Sequence, residues 1–451
     1  MRILVPLVVL AAIAALLLTR AEPFAPTVTL ETPLDFVGRA TPLRFVARDR
    51  GTGLARVDVR LVPPSGTAVV VASQEFPPGS GLLRTGAVHE ATVVVTLDAA
   101  SAHVPEGSAT LEVMATDHSW LAGLHRRPQI SRPVTVDVTP PTVELLSTQH
   151  VVHVGGSECA VYRVAPDAAR SGVQVGDDLF PGVAGYFGDG LLRAALFAVP
   201  EDAPAARPAL VAVDAAGNAR TIGLGADVRG RHFAEKTLPI SEEFLARKVP
   251  ELLQANGLDQ SGDLVAGYLR INRELRATTE RRVRELCAES APRPLWEGAF
   301  LRLPNSAPLS GFADRRTYVY EGKPIDHQTH LGFDLASLRG SPVPAGNTGQ
   351  VVFAGPLGIY GNTVVIDHGL GLFSLYGHLS TIDVAPRATV RRGDPIGKTG
   401  DTGLAAGDHL HFSIMVRGVH VDPVEWWDAH WIHDHVEARL AAFPRAADAG
   451  S

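Results

Sequence analysis

Apolar and polar positions alternate with a period of two through the first third of the chain. Thr27-Val-Thr-Leu30, Leu43-Arg-Phe-Val46, Ala55–Leu61, Ala91–Leu97, Ala109–Met114 and Val134–Val138 each read as a half-buried strand, with Gly, Pro and Asp between them. Such runs between residues 24 and 138 predict a small β-sandwich. A second set follows over 140–230. Pro26-Thr-Val-Thr-Leu30 returns as Pro141-Thr-Val-Glu-Leu145, Phe45–Asp49 as Tyr162–Asp167, and Ala115-Thr-Asp117 as Val213-Asp214 ahead of Gly217-Asn218. Gly53 and Gly172 each lead into an apolar strand, so the pattern points to an internal duplication.

The period changes over 241–290. Leu264, Tyr268, Ile271, Leu275, Val283 and Leu286 recur at three- and four-residue steps, which predicts an amphipathic helix capped by Ser261 and stopped by Pro292 and Pro294. Arg270, Arg273, Arg276, Arg281, Arg282 and Arg284 alternate with glutamates on the other face and read as a solvated surface. Beyond Pro292 the chain returns to strands and turns.

The opening residues differ from everything after them. Arg2 precedes an apolar run, Ile3–Leu18, of signal length and slightly short for a spanning helix. Arg20 interrupts the small neutral residues that a cleavage site wants, which favours an uncleaved inner-membrane anchor over a cleaved signal peptide. Either way the chain is expected in the periplasm or cell envelope. Composition agrees: 41 basic against 48 acidic residues give a net charge of −7, and no basic block suggests nucleic acid. The chain has two cysteines, Cys159 and Cys287, too few for a disulfide framework, and two free buried thiols are favoured over one bridge.

Candidate chemistry is confined to the C-terminal third. In a strand, His409 and His411 point one way and Leu410 the other. His330 and Asp334 share a face whether that segment is strand or helix, and Gly332 disfavours a long helix. With His378 in Tyr376-Gly-His-Leu379, four or five polar groups can meet over one sheet. That suits a metal hydrolase, which wants N and O ligands, an open position and a nearby proton acceptor. Other segments are discounted. Gly393-Asp-Pro-Ile-Gly397-Lys398-Thr399 mimics a phosphate-binding loop but spaces its glycines one residue too close, and it reads better as a β-turn. His368 reads as structural, His327 as a solvated loop residue and His420 as a strand end, while Trp426 and Trp427 are expected to pack the end of the sheet.

Residues 296–428 resemble the lysostaphin/LytM-type zinc endopeptidases that cut peptidoglycan cross-links. The match rests on His330-Leu-Gly-Phe-Asp334-Leu-Ala336, Pro342–Gly346, Gly349–Gly355, Tyr360-Gly-Asn362, Asp367-His-Gly369, Tyr376–Leu379, Gly393–Gly397, Thr399–Gly403 and His409-Leu-His411. The resemblance implies one zinc per chain held by His330, Asp334 and His411. It also implies that His378 and His409 together handle the water and the tetrahedral intermediate. The sandwiches weakly resemble the Ig-like domains of bacterial envelope proteins.

The sequence therefore predicts a mainly β chain with six parts. These are a signal anchor or signal peptide (1–21), two Ig-like β-sandwiches (22–139 and 140–235), a helical linker (236–292), a C-terminal antiparallel β-sheet metallopeptidase domain (293–435) and a tail (436–451). The expected function is zinc-dependent hydrolysis of peptidoglycan stem-peptide cross-links; the alternative is a non-catalytic wall-binding regulator of other hydrolases. Peptidoglycan is the expected partner, with envelope proteins docking on the Ig-like domains. Residues 22–240 are expected to act as a spacer and docking arm outside the active site, holding the enzyme on the order of 70 Å from the bilayer if the sandwiches stack.

Overall fold

A computed structural model describes residues 13–14, 20–79, 85–125 and 127–446. The apolar run of residues 3–18 falls almost wholly outside these. Among the described residues no helix is long and apolar enough to cross a membrane. The chain is mainly β and divides into two compact units, Met1–Pro141 with 167–169 and 212–220, and Thr142–Pro166 with 170–211 and 221–451.

In the first unit the alternating runs form two sheets. One orders Thr27–Leu30, Thr41–Arg48 and Glu90–Leu97; the other orders Phe36–Val37, Ile130–Val136, Gly107–Asp117, Leu54–Val62 and Val69–Glu75. Leu43, Phe45 and Ala47 face inward from Thr41–Arg48 while Pro42, Arg44 and Arg48 are exposed. They share a core with Val57, Val59, Leu61, Leu111, Val113 and Ala115, which is what period-two patterning produces when one face of each strand is buried.

The duplication seen in the sequence is also present in the topology. Val143–Leu145, Ser157–Val164 and Leu192–Ala198 repeat the order of the first three-stranded sheet. The run Ala219–Gly223, Ala209–Asp214, Ala168–Val175 and Asp178–Pro181 repeats the last four strands of the larger sheet. Cys159 and Cys287 are both free and buried, and burial pushes the Cys159 thiol up to about 12.

The C-terminal sheet of the second unit is antiparallel and orders Ala307–Ser310, Phe333–Ala336, Leu410–Val416, Leu372–Gly377, Asn362–Gly369, Gly349–Pro356 and Thr389–Val390. Leu410–Val416 is buried at every position, because the sheet is covered on both faces. Helices cover one of them. Leu245, Val249, Tyr268, Ile271, Leu275 and Val283 share a core with Val365, Phe373, Leu375 and Met415 of the sheet.

Three expectations for this region need correction. The helical segment is two helices: Glu242–Ala255, capped by Ser241, comes first. The predicted stripe lies on Leu264–Leu286, which passes through one π-helical turn at Ile271–Leu275. Its N-cap is Asp263, not Ser261, because the Asp263 carboxylate accepts from Ala266 N at 2.8 Å while the Ser261 hydroxyl is turned onto Asp259. The arginine face is solvated as expected, Arg273 pairing with Asp326 and Arg284 with Asp178 while both stay about half exposed. Finally, the proposed arm does not stop short of the enzyme. Glu235–Pro239 adds a parallel strand beside Arg315–Tyr320, and Leu238, Pro239 and Ile240 line the groove described next.

Candidate metal centre

Strand register brings the predicted residues together. Asp334 lies opposite His411 on one neighbouring strand, and Gly377, just before His378, lies opposite His411 on the other. Asp334 and His411, 77 positions apart, thereby become cross-strand neighbours. Gly332 is required for this approach: a Cβ there would sit 2.5 Å from the His411 ring and 2.6 Å from Ser413 Oγ.

The candidate ligand atoms form a tight triangle. His330 Nε2 lies 3.0 Å from Asp334 Oδ1 and 3.1 Å from His411 Nδ1, and His411 Nδ1 lies 3.0 Å from the same carboxylate oxygen. The far nitrogen of each ring fixes the tautomer. His330 Nδ1 faces the Gly311 carbonyl at 2.8 Å, and a carbonyl only accepts, so that nitrogen carries the proton. His411 Nε2 lies 3.0 Å from Ser413 Oγ, whose own hydrogen goes to Leu331 O at 2.8 Å, so His411 also donates outward. Two lone pairs and a carboxylate therefore face one another with no proton to share, an arrangement that calls for a cation. Tetrahedral zinc with about 2.0–2.1 Å bonds separates its ligand atoms by about 3.3 Å, close to the spacing here. Mixed imidazole and carboxylate donors suit zinc, and the residues fit it.

His378 and His409 complete the cluster in a different way. His378 Nδ1 donates to Thr402 O at 2.8 Å and His409 Nδ1 to Gly407 O at 2.8 Å, so neither Nε2 is taken up by a backbone carbonyl. The rings lie 4.9 Å apart, and His409 Nε2 approaches Asp334 Oδ1 at 3.5 Å. His378 has φ +62°, a left-handed conformation rare for a residue with a Cβ. Its own N–H, bonded to Tyr360 O at 2.7 Å, helps hold it there.

Burial alone would raise the Asp334 carboxyl, but the imidazoles of His330, His409 and His411 hold it well below the usual carboxylate range. Burial lowers His378, helped by His409 and His411, and lowers His411 to about 4. His409 is raised, because its approach to Asp334 outweighs burial.

The cluster opens on a groove of about 730 Å³. One wall comes from Ile240, Phe244 and Arg247 of the helical segment, another from Leu404–His409, and Arg316 and Tyr318 lie between them. Arg247 bonds to Ala406 O at 3.1 Å and Lys248 Nζ to Asp401 O at 2.5 Å, tying the two walls together.

The residues set aside in the sequence lie outside the cluster. His368 is buried between Thr348 O and Ser374 Oγ, at 2.8 and 2.7 Å. His327 is exposed on a strand beside Thr317, His420 pairs with Glu280, and Trp426 is buried against Trp296 and Phe300. Gly393 forms the positive-φ turn between Thr389–Val390 and Pro395–Lys398. Among the supporting residues, Arg316 was passed over and Tyr360 was quoted only within a matching motif. Arg316 donates to the second Asp334 oxygen at 2.9 Å, and the Tyr360 ring lies 5.0 Å from the His411 ring.

Comparison with known proteins finds its matches over the segment that carries the cluster. The description Peptidase family M23 matches residues 328–423. The DD-carboxypeptidase/endopeptidase Mpg of Neisseria meningitidis is 42% identical over 109 residues, 24% of this chain and 25% of that protein. The chain thus spans only about a quarter of that relative's length. Lipoprotein NlpD of Yersinia enterocolitica is 38% identical over 94 residues, 21% of this chain and 96% of that protein. The murein hydrolase activator NlpD of Salmonella dublin is 32% identical over 127 residues, 27% of this chain and 32% of that protein. With a near-complete relative matched and the metal-type cluster inside the matched segment, the chain belongs to peptidase family M23, the zinc metallopeptidases of LytM/lysostaphin type.

Proposed function

We propose that this chain is a zinc-dependent endopeptidase of the cell envelope that hydrolyses amide bonds in peptidoglycan stem-peptide cross-links. The observation that carries the reading is the proton-free triangle of His330, Asp334 and His411 at the floor of an open groove. A zinc ion held there would supply Lewis acidity and acidify the attacking water. The remaining work falls to the chain's own groups. His378 and His409 turn Nε2 into the groove with Nδ1 pinned behind, so the pair can accept the water's proton and deliver it to the departing amine nitrogen. Arg316 keeps one Asp334 oxygen occupied and leaves the other for the metal.

The name DD-carboxypeptidase/endopeptidase Mpg supports peptidase chemistry, the name murein hydrolase activator NlpD supports the wall as its setting, and the name lipoprotein NlpD supports a membrane-linked location. Residues 3–18 would serve as the export signal or inner-membrane anchor, and the N-terminal β-modules as the docking arm. The activator NlpD favours a second reading, in which the groove binds wall peptide and regulates other hydrolases without cutting.

One experiment separates the two. The purified full-length protein is assayed for bound zinc and for new amino termini released from purified peptidoglycan, beside His411→Ala. The enzyme reading expects about one zinc per chain and chelator-sensitive cleavage, both lost in the variant. Wall binding without cleavage by the zinc-loaded protein would leave the activator reading standing. Stoichiometric zinc retained by His411→Ala would overturn the ligand assignment.

A further inference from the structure

The helix Arg276–Leu286 lies outside residues 328–423, yet it reaches the metal-centre cluster. Both oxygens of the Glu280 carboxylate are engaged: Tyr360 OH donates to Oε1 at 2.7 Å and His420 Nε2 to Oε2 at 2.9 Å. One residue earlier, Thr279 Oγ1 accepts from Ile359 N at 3.4 Å and donates to Leu275 O at 2.7 Å. The facing turn comes so close that a Cβ on Gly358, which has φ +47°, would lie 1.9 Å from that oxygen. Two consecutive helix residues therefore grip the turn Gly358–Tyr360.

Two site residues depend on that turn. The Tyr360 ring lies against the ring of His411, centroids 5.0 Å apart and planes at 35°. Its carbonyl accepts the N–H of His378, the residue held at positive φ. Tyr360 thus supports a metal-type ligand through its side chain and a proton-handling imidazole through its backbone. We infer that Glu280 is a positioning residue of the hydrolytic site: acting through Tyr360, it fixes the His411 ring and the His378 backbone. The Arg276–Leu286 helix is then a working part of the site. This rests on the zinc-peptidase reading above.

The physical case is one of preorganisation. Bonds to an ionised acceptor are stronger and more directional than neutral ones. A buried phenol that loses its acceptor must repack or find water. Either movement is passed directly to His411 and His378, where displacement by a fraction of an ångström is felt in the rate.

The test compares the full-length zinc-loaded wild type with Glu280→Ala, Glu280→Gln, Tyr360→Phe and the Glu280→Ala/Tyr360→Phe double variant. Four quantities are read: kcat and KM on soluble cross-linked peptidoglycan fragments, zinc retention against a chelator series, and the melting temperature of zinc-depleted protein. Outer-shell partners typically contribute about 10–100-fold in metal affinity or activity. Glu280→Ala should therefore lose kcat by about that factor, with KM changed less than about twofold, and release zinc at lower chelator concentration. Glu280→Gln should recover most of the rate, because it keeps an acceptor for Tyr360 OH. The double variant should be no slower than Glu280→Ala, since the two residues act in series.

A Glu280→Ala protein that melts earlier but keeps wild-type kcat and zinc retention would make Glu280 merely structural and overturn the inference. Losses that multiply in the double variant would show that Glu280 does not act through Tyr360. Should Glu280→Ala fail to fold, Tyr360→Phe decides: it must lose kcat without a matching rise in KM. A wild type that neither holds zinc nor cleaves would instead sink the functional reading itself.

Discussion

The imidazoles of the cluster are told apart by what lies behind them. His330 and His411 donate backward and converge on one oxygen of Asp334, while His378 and His409 donate backward and face the groove. Replacing either of the second pair should therefore leave the metal in place and remove the chemistry. His378→Ala and His409→Ala are each expected to retain about one zinc and to lose about 10²–10⁴-fold in kcat, the usual contribution of a general acid or base. Metal analysis and turnover on soluble fragments, measured on one preparation, check this. Zinc loss in either variant would move that residue among the ligands. Side chains sharing a strand face could be read from spacing alone, which is why His409 and His411 were legible. Ser413, two residues further along that strand, was equally accessible to the argument and was missed. Arg316 and Glu280 were not accessible, because no local periodicity links them to partners that the fold supplies from another element.

At the scale of elements, the helical segment matters more than its sequence suggested. Periodicity located its apolar stripe on Leu264, Tyr268, Ile271, Leu275 and Val283, and the helix along Leu264–Leu286 carries it. What the stripe covers could not be read from it. It covers Val365, Phe373, Leu375 and Met415 of the C-terminal sheet. Fully burying one large apolar side chain contributes about 1.5–3 kcal/mol, and a domain's net stability is about 5–15 kcal/mol. Uncovering four such sheet residues would remove most of the margin. A chain beginning at Pro292 should accordingly fail to show a cooperative melt and should aggregate, whereas one beginning at Thr142 should melt as the second unit does in the full chain. Near-ultraviolet circular dichroism on heating distinguishes them. A Pro292 chain with a sharp melt and full activity would show that the sheet does not need its helical cover.

At the scale of the whole molecule, duplicated strand motifs and a C-terminal sheet could be read from the sequence, but the interlock inside the second unit could not. That interlock joins residues 268 positions apart: Ser157 N and Oγ donate to Glu425 Oε2 at 2.9 and 3.2 Å. Trp426 Nε1 donates to Ser157 Oγ at 3.1 Å, and Glu158 meets Arg439 and His435 of the C-terminal helices. Glu425 gives the interlock a pH signature. Burial pushes its carboxyl up to about 8; the Asp422 charge adds to this, while the bonds from Ser157 and the charge of Arg231 oppose it. An unfolded glutamate titrates near ~4.3. Between those values the folded chain holds a proton that the unfolded chain releases, so stability falls as pH rises from about 4.5 toward 8. Glu425→Gln keeps an acceptor for Ser157 and cannot ionise. Its melting temperature should exceed the wild type's at pH 8.5, by a margin on the order of a few kcal/mol of stability, and the two should converge near pH 4.5. Melts at half-unit pH steps on zinc-loaded protein measure the difference in slope. Parallel curves over that range would mean that Glu425 ionises without penalty in the fold, and that the strand Ser157–Val164 is not held to the helix Pro423–Trp427 through a protonated carboxyl.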